Sequence, residues 1–250
     1  MVHRAVCGAD VMVVRELRRI GGSLSFLTIL PIPWKKELEG SSAYYPLAGW
    51  FIGGVLYLVW TASRGLPDLV RALIAVAIWE LLSRGLHIDA LADSADAFIA
   101  GGSRERILRI MDDSRTGAFG IMAIVLLLLG KFAVLSSLQF DAARNALLCG
   151  AVMGRYTLSL LCCLFQQAKD EGLGSTIVSS SGIKVFVIAT VTGPVPVAIL
   201  FRWHALYACA GLAVSVLFAL YALWKIGGLT GDILGASLEA TELASLFSFL

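Results

Sequence analysis

The 250-residue chain reads as an all-α, polytopic membrane protein. It is expected to form a single integral membrane domain over 1–250, with about seven transmembrane helices, a short N-terminal re-entrant or interfacial segment and a cytoplasmic amphipathic helix. Three observations predict this. Hydrophobic residues make up 58% of the chain and charged residues only 15%; soluble domains run nearer half and a quarter. Mean hydropathy is +0.82. The apolar residues also come in runs close to the roughly 20 that a helix needs to cross a bilayer.

In chain order, residues 1–43 form a cytoplasmic and interfacial start. Arg4, Arg15, Arg18 and Arg19 precede an apolar stretch at 23–33 that is too short to span and is broken by Pro31 and Pro33. No secretory leader is read there. Trp34, Lys35 and Lys36 follow as an interfacial anchor. Spans are then expected at 44–63, 68–83, 118–138, 145–165, 183–201, 206–224 and 233–250. Gly49, Gly53 and Gly54 suit close helix packing, and such glycines permit a homo-oligomer. This count gathers the N-terminus, 84–117, 166–182 and 225–232 on one side, together with most of the arginines and lysines, which makes that side cytoplasmic.

The net charge of +2 is too small for a nucleic-acid footprint, so no nucleic-acid partner is expected. Cys7, Cys149, Cys162, Cys163 and Cys209 have no metal-ligand spacing, and four of them lie in apolar runs as small hydrophobes.

The cytoplasmic segment 84–117 carries the most unusual polar residues. Asp89, Asp93 and Asp96 stand at i, i+4 and i+7, within an arc of roughly 60° on a helix. Such a row can be a solvated helix face. With only Ala, Leu and Ser between them, however, three carboxylates repel unless a cation intervenes, and oxygen-only ligands suit Mg²⁺. His87 would point away from this stripe by roughly 160°; it precedes the helix, orients another group, or is simply packed and hydrogen-bonded. Residues 103–113 read as an amphipathic helix capped by Ser103, with Arg104, Arg106 and Arg109 snorkelling to headgroups. Asp113, Ser114 and Arg115 then place a carboxylate, a hydroxyl and a guanidinium at the mouth of a span, and Arg115 suits phosphate oxygens.

Asp170, Glu171 and Gly172 form a polar turn after the fourth span. Thr230 or Asp232 can cap the last helix, whose N-terminus favours anionic groups. Glu239 and Glu242 share a face with Asp232 inside an apolar segment, where an ionised side chain is costly unless paired, and Glu80 has a weaker version of the same claim. Acidic groups from two distant segments, with Arg115 and a glycine-rich helix start nearby, fit phosphoryl transfer supported by carboxylate-held Mg²⁺.

The blocks HIDALADSADAF, RILRIMDDSRTGAFG, DEGLG and GGLTGDILGASLEATE, with FLTILPIP and YYPLAGWFIGG before them, resemble the cobalamin synthase family, the adenosylcobinamide-GDP ribazoletransferases. The resemblance runs from about Leu24 to the C-terminus. It implies a multi-pass enzyme of the bacterial inner (plasma) membrane, its active site on the cytoplasmic side, for the last stage of vitamin B12 assembly. Adenosylcobinamide-GDP would be joined to α-ribazole or its 5′-phosphate, releasing GMP, with Mg²⁺ required. Asp89, Asp93 and Asp96 match the family's acidic motif, Asp113, Ser114 and Arg115 its DSR, Glu171 its EGLG, and Asp232, Glu239 and Glu242 its C-terminal acidic block. Ala90, Ala97 and Phe119 depart from the pattern, standing where glycine, glycine and histidine are frequent.

On this reading Asp89, Asp93 and Asp96 are metal ligands, with Asp232, Glu239 and Glu242 completing the site or holding a second ion. Ser114, Glu171 and Thr230 contact the bound groups, Arg115 steadies a phosphate, and Asp113 takes the acceptor's proton. Two rivals remain: a CDP-alcohol-type membrane phosphotransferase, whose DGxxAR pattern Ala90 and Asp93 break, and a secondary transporter, which predicts internal repeats not found here.

Overall fold

The computed structural model describes residues 2–32, 37–168 and 173–250. The anchor expected at Trp34, Lys35 and Lys36 lies outside these residues, as does Glu171. Helices carry the described chain: α1 (Val2–Leu27), a 3₁₀ turn (Ser41–Tyr44), α2 (Tyr45–Ala62), α3 (Asp68–Leu82), α4 (Leu86–Ala100), α5 (Arg104–Met111), α6 (Ala118–Ser137), α7 (Phe140–Leu164), α8 (Leu173–Ser179), α9 (Ile183–Thr192), α10 (Pro194–Phe201), α11 (Trp203–Ile226) and α12 (Gly231–Phe247).

Five stretches among the described residues are long and apolar enough to cross a membrane: Ser41–Ala62, Ala118–Ser137, Phe140–Leu164, Ile183–Phe201 and Cys209–Ile226. Two of the seven expected spans fall short. α3 has 15 residues and α12 has 17, about 22 and 25 Å of helix. At the N-terminus, α1 continues through 23–27 and stops at Leu27, ahead of Pro31.

α7 is the axis of the bundle, with α2 and α12 packed against it. Small residues let these helices approach. A Cβ on Gly49 would stand 2.6 Å from the Ala151 carbonyl oxygen, and one on Gly235 would stand 2.5 Å from Ala90 Cβ, where α12 meets α4. Hydroxyls join the same helices: Thr157 Oγ1 donates to Thr241 Oγ1 (2.9 Å), which also lies 2.8 Å from Ser215 Oγ. Outside this core, Leu126 and Leu129 on α6, Val187 and Ile199 on α9 and α10, and Leu217 on α11 are exposed, as befits lipid-facing surfaces.

The expected span at 183–201 is one membrane-length segment broken in the middle. Pro194 and Pro196 cannot donate backbone hydrogen bonds, so the helix interrupts at Gly193. The Thr192 carbonyl that Pro196 cannot reach is satisfied from another helix, by Trp50 Nε1 at 2.8 Å.

α3 and α4 also form a broken pair. The chain bends at Arg84 and Gly85, both left-handed (φ 57 and 66). Glycine takes this conformation freely; Arg84 is held there by its guanidinium, which donates to the carbonyls of Ser25 (3.3 Å) and Phe26 (3.0 Å) at the end of α1. α4 then lies along the first half of α6 and α3 along the second half. The acidic row is therefore on a helix packed into the bundle.

Filling the α2–α7 contact tests this packing. Gly49→Val is expected to lower the thermal midpoint in detergent by roughly 2–10 °C, because overpacking costs about 1–3 kcal/mol. Gly54→Val, at a position with nothing within 4 Å, should leave the midpoint unchanged.

Candidate active site

The site is assembled at one end of the bundle, where 166–168, α5, the start of α6 and the start of α12 meet. Leu229 N–H donates to the Gln166 carbonyl (2.9 Å) and Ala168 N–H to the Leu229 carbonyl (2.8 Å), pinning the segment that leads into α12. Gly228 allows this, since a Cβ there would stand 2.6 Å from Ala168 N. Arg104 closes the same corner, donating to the carbonyls of Ile226 (2.8 Å) and Ala168 (2.7 Å). It is thus a clamp on the C-terminal end of α11, in place of the headgroup contact expected of it. α5 seats the buried Ile107 and Met111 against Ile226, Leu229 and Ile233. Ser103 caps α5 as expected, its Oγ accepting from Arg106 N–H.

Thr230 caps α12: its Oγ1 accepts from Ile233 N–H at 3.3 Å, and the residue is buried. Ser114 is exposed, beside Asp113 and Arg115.

The aspartates gather as expected, but with distinct settings. Asp96 is bound on both oxygens, accepting from Gly117 N–H (2.6 Å) and Gly120 N–H (2.9 Å) at the start of α6. It holds the positive end of that helix, which neither glycine could offer so closely if it carried a side chain. Asp93 is pushed up to about 6 from an ordinary 3.8, first by partial burial and then by the charges of Asp89, Asp232 and Asp96. Asp89 and Asp232 reach the group from α4 and α12 and line one cavity of about 220 Å³. On its other side Asp89 borders a wider depression of about 610 Å³, bounded by Arg84, Gly85, Leu86, Ile88 and Ile124. Two hollows therefore meet at one carboxylate.

Among the described residues, no three His, Cys, Asp or Glu side chains converge closely enough to hold a metal ion by themselves. That arrangement still fits Mg²⁺, which is ordinarily held by one or two carboxylates together with substrate phosphates and water. Around Asp93 the charges of Asp89, Asp232 and Asp96 add to the effect of burial, and a cation there would relieve both.

Asp113, expected as the base, is paired with Arg115, which donates to it through Nε (3.0 Å) and Nη2 (2.6 Å), and these bonds hold its carboxyl down at about 2. While so paired it is a poor proton acceptor at neutral pH. Arg115 itself is largely exposed at the mouth of the site.

Glu239 and Glu242, expected as metal ligands, lie deeper along α12 in a buried ion network. Lys131 Nζ, fully buried, is 2.6 Å from Glu239, 2.7 Å from Glu242 and 2.9 Å from Glu80. Arg155 pairs with Glu242 and donates to Ser83 Oγ at 2.8 Å, while Trp79 Nε1 donates to Glu242 at 3.0 Å. A divalent cation on these carboxylates would face an ammonium already in contact with them. Sequence reasoning missed Lys131 and Arg155. The available signal was that each is the lone charged residue of its apolar run.

His87 is buried, lines the 220 Å³ cavity, and has no hydrogen-bond partner at Nε2. Burial foremost, then the charges of Arg155 and Lys131, holds its imidazole neutral.

A family model described as cobalamin-5-phosphate synthase matches residues 19–250. The chain belongs to the cobalamin-5-phosphate synthase family. Among curated relatives, one from Acinetobacter baumannii is 35% identical over 236 residues, covering 91% of this chain and 95% of its own. One from Ectopseudomonas mendocina is 36% identical over 233 residues, 90% and 96% of the two chains. One from Caldanaerobacter subterraneus is 32% identical over 246 residues, 94% and 99%. All three are named adenosylcobinamide-GDP ribazoletransferase. No solved structure matches. Membership of the cobalamin-5-phosphate synthase family sets aside both the CDP-alcohol phosphotransferase and the transporter.

Two measurements check the site. In metal-free protein, Asp93 keeps its proton up to about pH 6, whereas an unfolded chain releases it near 3.8. The native state binds more protons in that window, so stability should fall as pH rises through it. Thermal midpoints in chelator across this range should show that fall, and Asp93→Asn should flatten it. Lys131→Met leaves the buried carboxylates uncompensated, and a loss of about 3–5 kcal/mol is expected as a sharp drop in folded protein. Adding Glu239→Gln should recover part of it.

Proposed function

We propose that this chain joins adenosylcobinamide-GDP to α-ribazole or its 5′-phosphate, releasing GMP, at the cytoplasmic face of the bacterial inner membrane. The observation that carries the reading is the junction at Asp89 of two hollows, one narrower and one wider, beside carboxylates from two helices, in a chain of this family. A transferase with a large phosphorylated donor and a small acceptor needs that division.

Asp89 and Asp232 would hold Mg²⁺, which supplies neutralisation of the donor's diphosphate. A ribose hydroxyl of the acceptor attacks the phosphorus next to the cobinamide. The new P–O bond forms as the bond to GMP breaks. Asp93, the carboxylate with raised proton affinity, takes the hydroxyl proton and passes it to solvent. Arg115 meets phosphate oxygens at the exposed mouth, exchanging Asp113 for the donor. Asp96 keeps α4 and α6 in register. Glu171 is proposed to contact the donor from the neighbouring turn.

The topology proposed with this reaction keeps seven crossings. α3 and α12 cross as short helices, α12 buried among longer ones and α3 packed against α2 and α6, and 28–32 follow α1 as a re-entrant or interfacial stretch.

The test is direct. Purified protein given both substrates and Mg²⁺ is expected to form a cobalamin product and GMP, to stop in chelator and to recover with Mg²⁺. Asp93→Asn should lower kcat by at least about 100-fold with folded protein retained. Product formation by that variant at the wild-type rate would overturn the assignment.

A further inference from the structure

We propose that the narrower cavity, between α1, α2, α4, α7, α8 and α12, seats the heteroaromatic base of the acceptor, with His87 Nε2 donating a hydrogen bond to its unsubstituted ring nitrogen. The proposal rests on the reading above that the acceptor is α-ribazole, whose base is a flat dimethylbenzimidazole with one such nitrogen.

Size comes first. A cavity of about 150 Å³ lined by Leu, Ile and Phe takes up benzene. At about 220 Å³ this one has room for a bicyclic ring, and far too little for a corrin macrocycle. The donor's corrin is thereby excluded from it, and the donor's guanine is told apart by the measurements below.

The walls agree. Leu158, Ile177 and Leu234 are apolar, and Phe26 and Tyr45 lie nearly parallel with centroids 6.3 Å apart, presenting ring surface to a flat guest. The polar exceptions are informative. His87 is 3% exposed, yet its Nε2 has no hydrogen-bond partner. Buried polar atoms in native proteins are nearly always paired. An orphan in the wall of a cavity marks where a polar atom of a guest belongs. Asp89 and Asp232 complete the lining, so a base seated here delivers its sugar to the carboxylates.

The decisive experiment compares α-ribazole with the indole riboside of the same shape, in which a C–H replaces the ring nitrogen, using the full chain in detergent. Wild type should prefer α-ribazole by about tenfold or more in kcat/KM, the worth of a buried hydrogen bond with its desolvation. His87→Phe should lower kcat/KM for α-ribazole by about tenfold and leave the indole riboside unchanged, erasing the preference, with KM for adenosylcobinamide-GDP unaltered. An equal fall for both acceptors would make His87 merely structural and overturn the hydrogen bond.

Cys162→Phe, which fills the cavity from α7, should raise KM for α-ribazole about tenfold and spare the donor; an unchanged acceptor KM would overturn the location. If wild type forms no product at all, the reaction reading has failed, and calorimetry of α-ribazole alone still decides the cavity. Binding that is lost in Cys162→Phe upholds it, and absence of binding to wild type overturns it.

Discussion

Among the described residues, Glu80, Glu239 and Glu242 share the bundle centre with Lys131 and Arg155, and the rest of the structure depends on their mutual satisfaction. Any one of these charges alone in an apolar interior would cost several kcal/mol. The five come from α3, α6, α7 and α12, so the network can exist only if those four helices are in register. Apolar packing between helices in lipid lacks that directional demand, since lipid tails are as apolar as leucine. Here glycines bring the backbones close and the ions fix their heights. Gly154 faces Glu242 and Gly150 faces Trp79, which itself donates to Glu242.

The chemistry sits one step above this hub on the same helices. Asp232 leads α12 about 10 Å before Glu239, and Asp89 follows α3 across the bend at Arg84 and Gly85. Fixing Glu239 and Glu80 against Lys131 therefore also fixes the spacing of the two carboxylates that would share a cation. A mutual repulsion, recorded in the raised Asp93, is held in place by an attraction deeper in the same helices.

Much of this was legible from composition and spacing. Periodicity and length placed α2, α6 and α11 to within a few residues, cap chemistry marked Ser103 and Thr230, and the i, i+4, i+7 pattern put the aspartates on one face. What was not legible depends on partners far apart in the chain. Glu239 and Glu242 look alike as ligands or as ion-pair members until Lys131 is seen to lie across from them. Asp113 looks like a base until Arg115 folds back onto it. Asp96 has the same spacing as its neighbours, but the start of α6 claims both its oxygens. The partners that short α3 and α12 pack against are equally invisible locally.

The bond between Asp96 and the start of α6 joins two very different environments. α6 is among the most lipid-exposed helices, with Ile121, Met122, Val125, Leu126 and Leu129 facing outward. A helix so exposed answers hydrophobic mismatch by tilting. Its near end cannot tilt without drawing on Asp96 and, through α4, on Asp93 and Asp89. Two hydrogen bonds thereby tie the orientation of an outward-facing helix to the position of the carboxylate row.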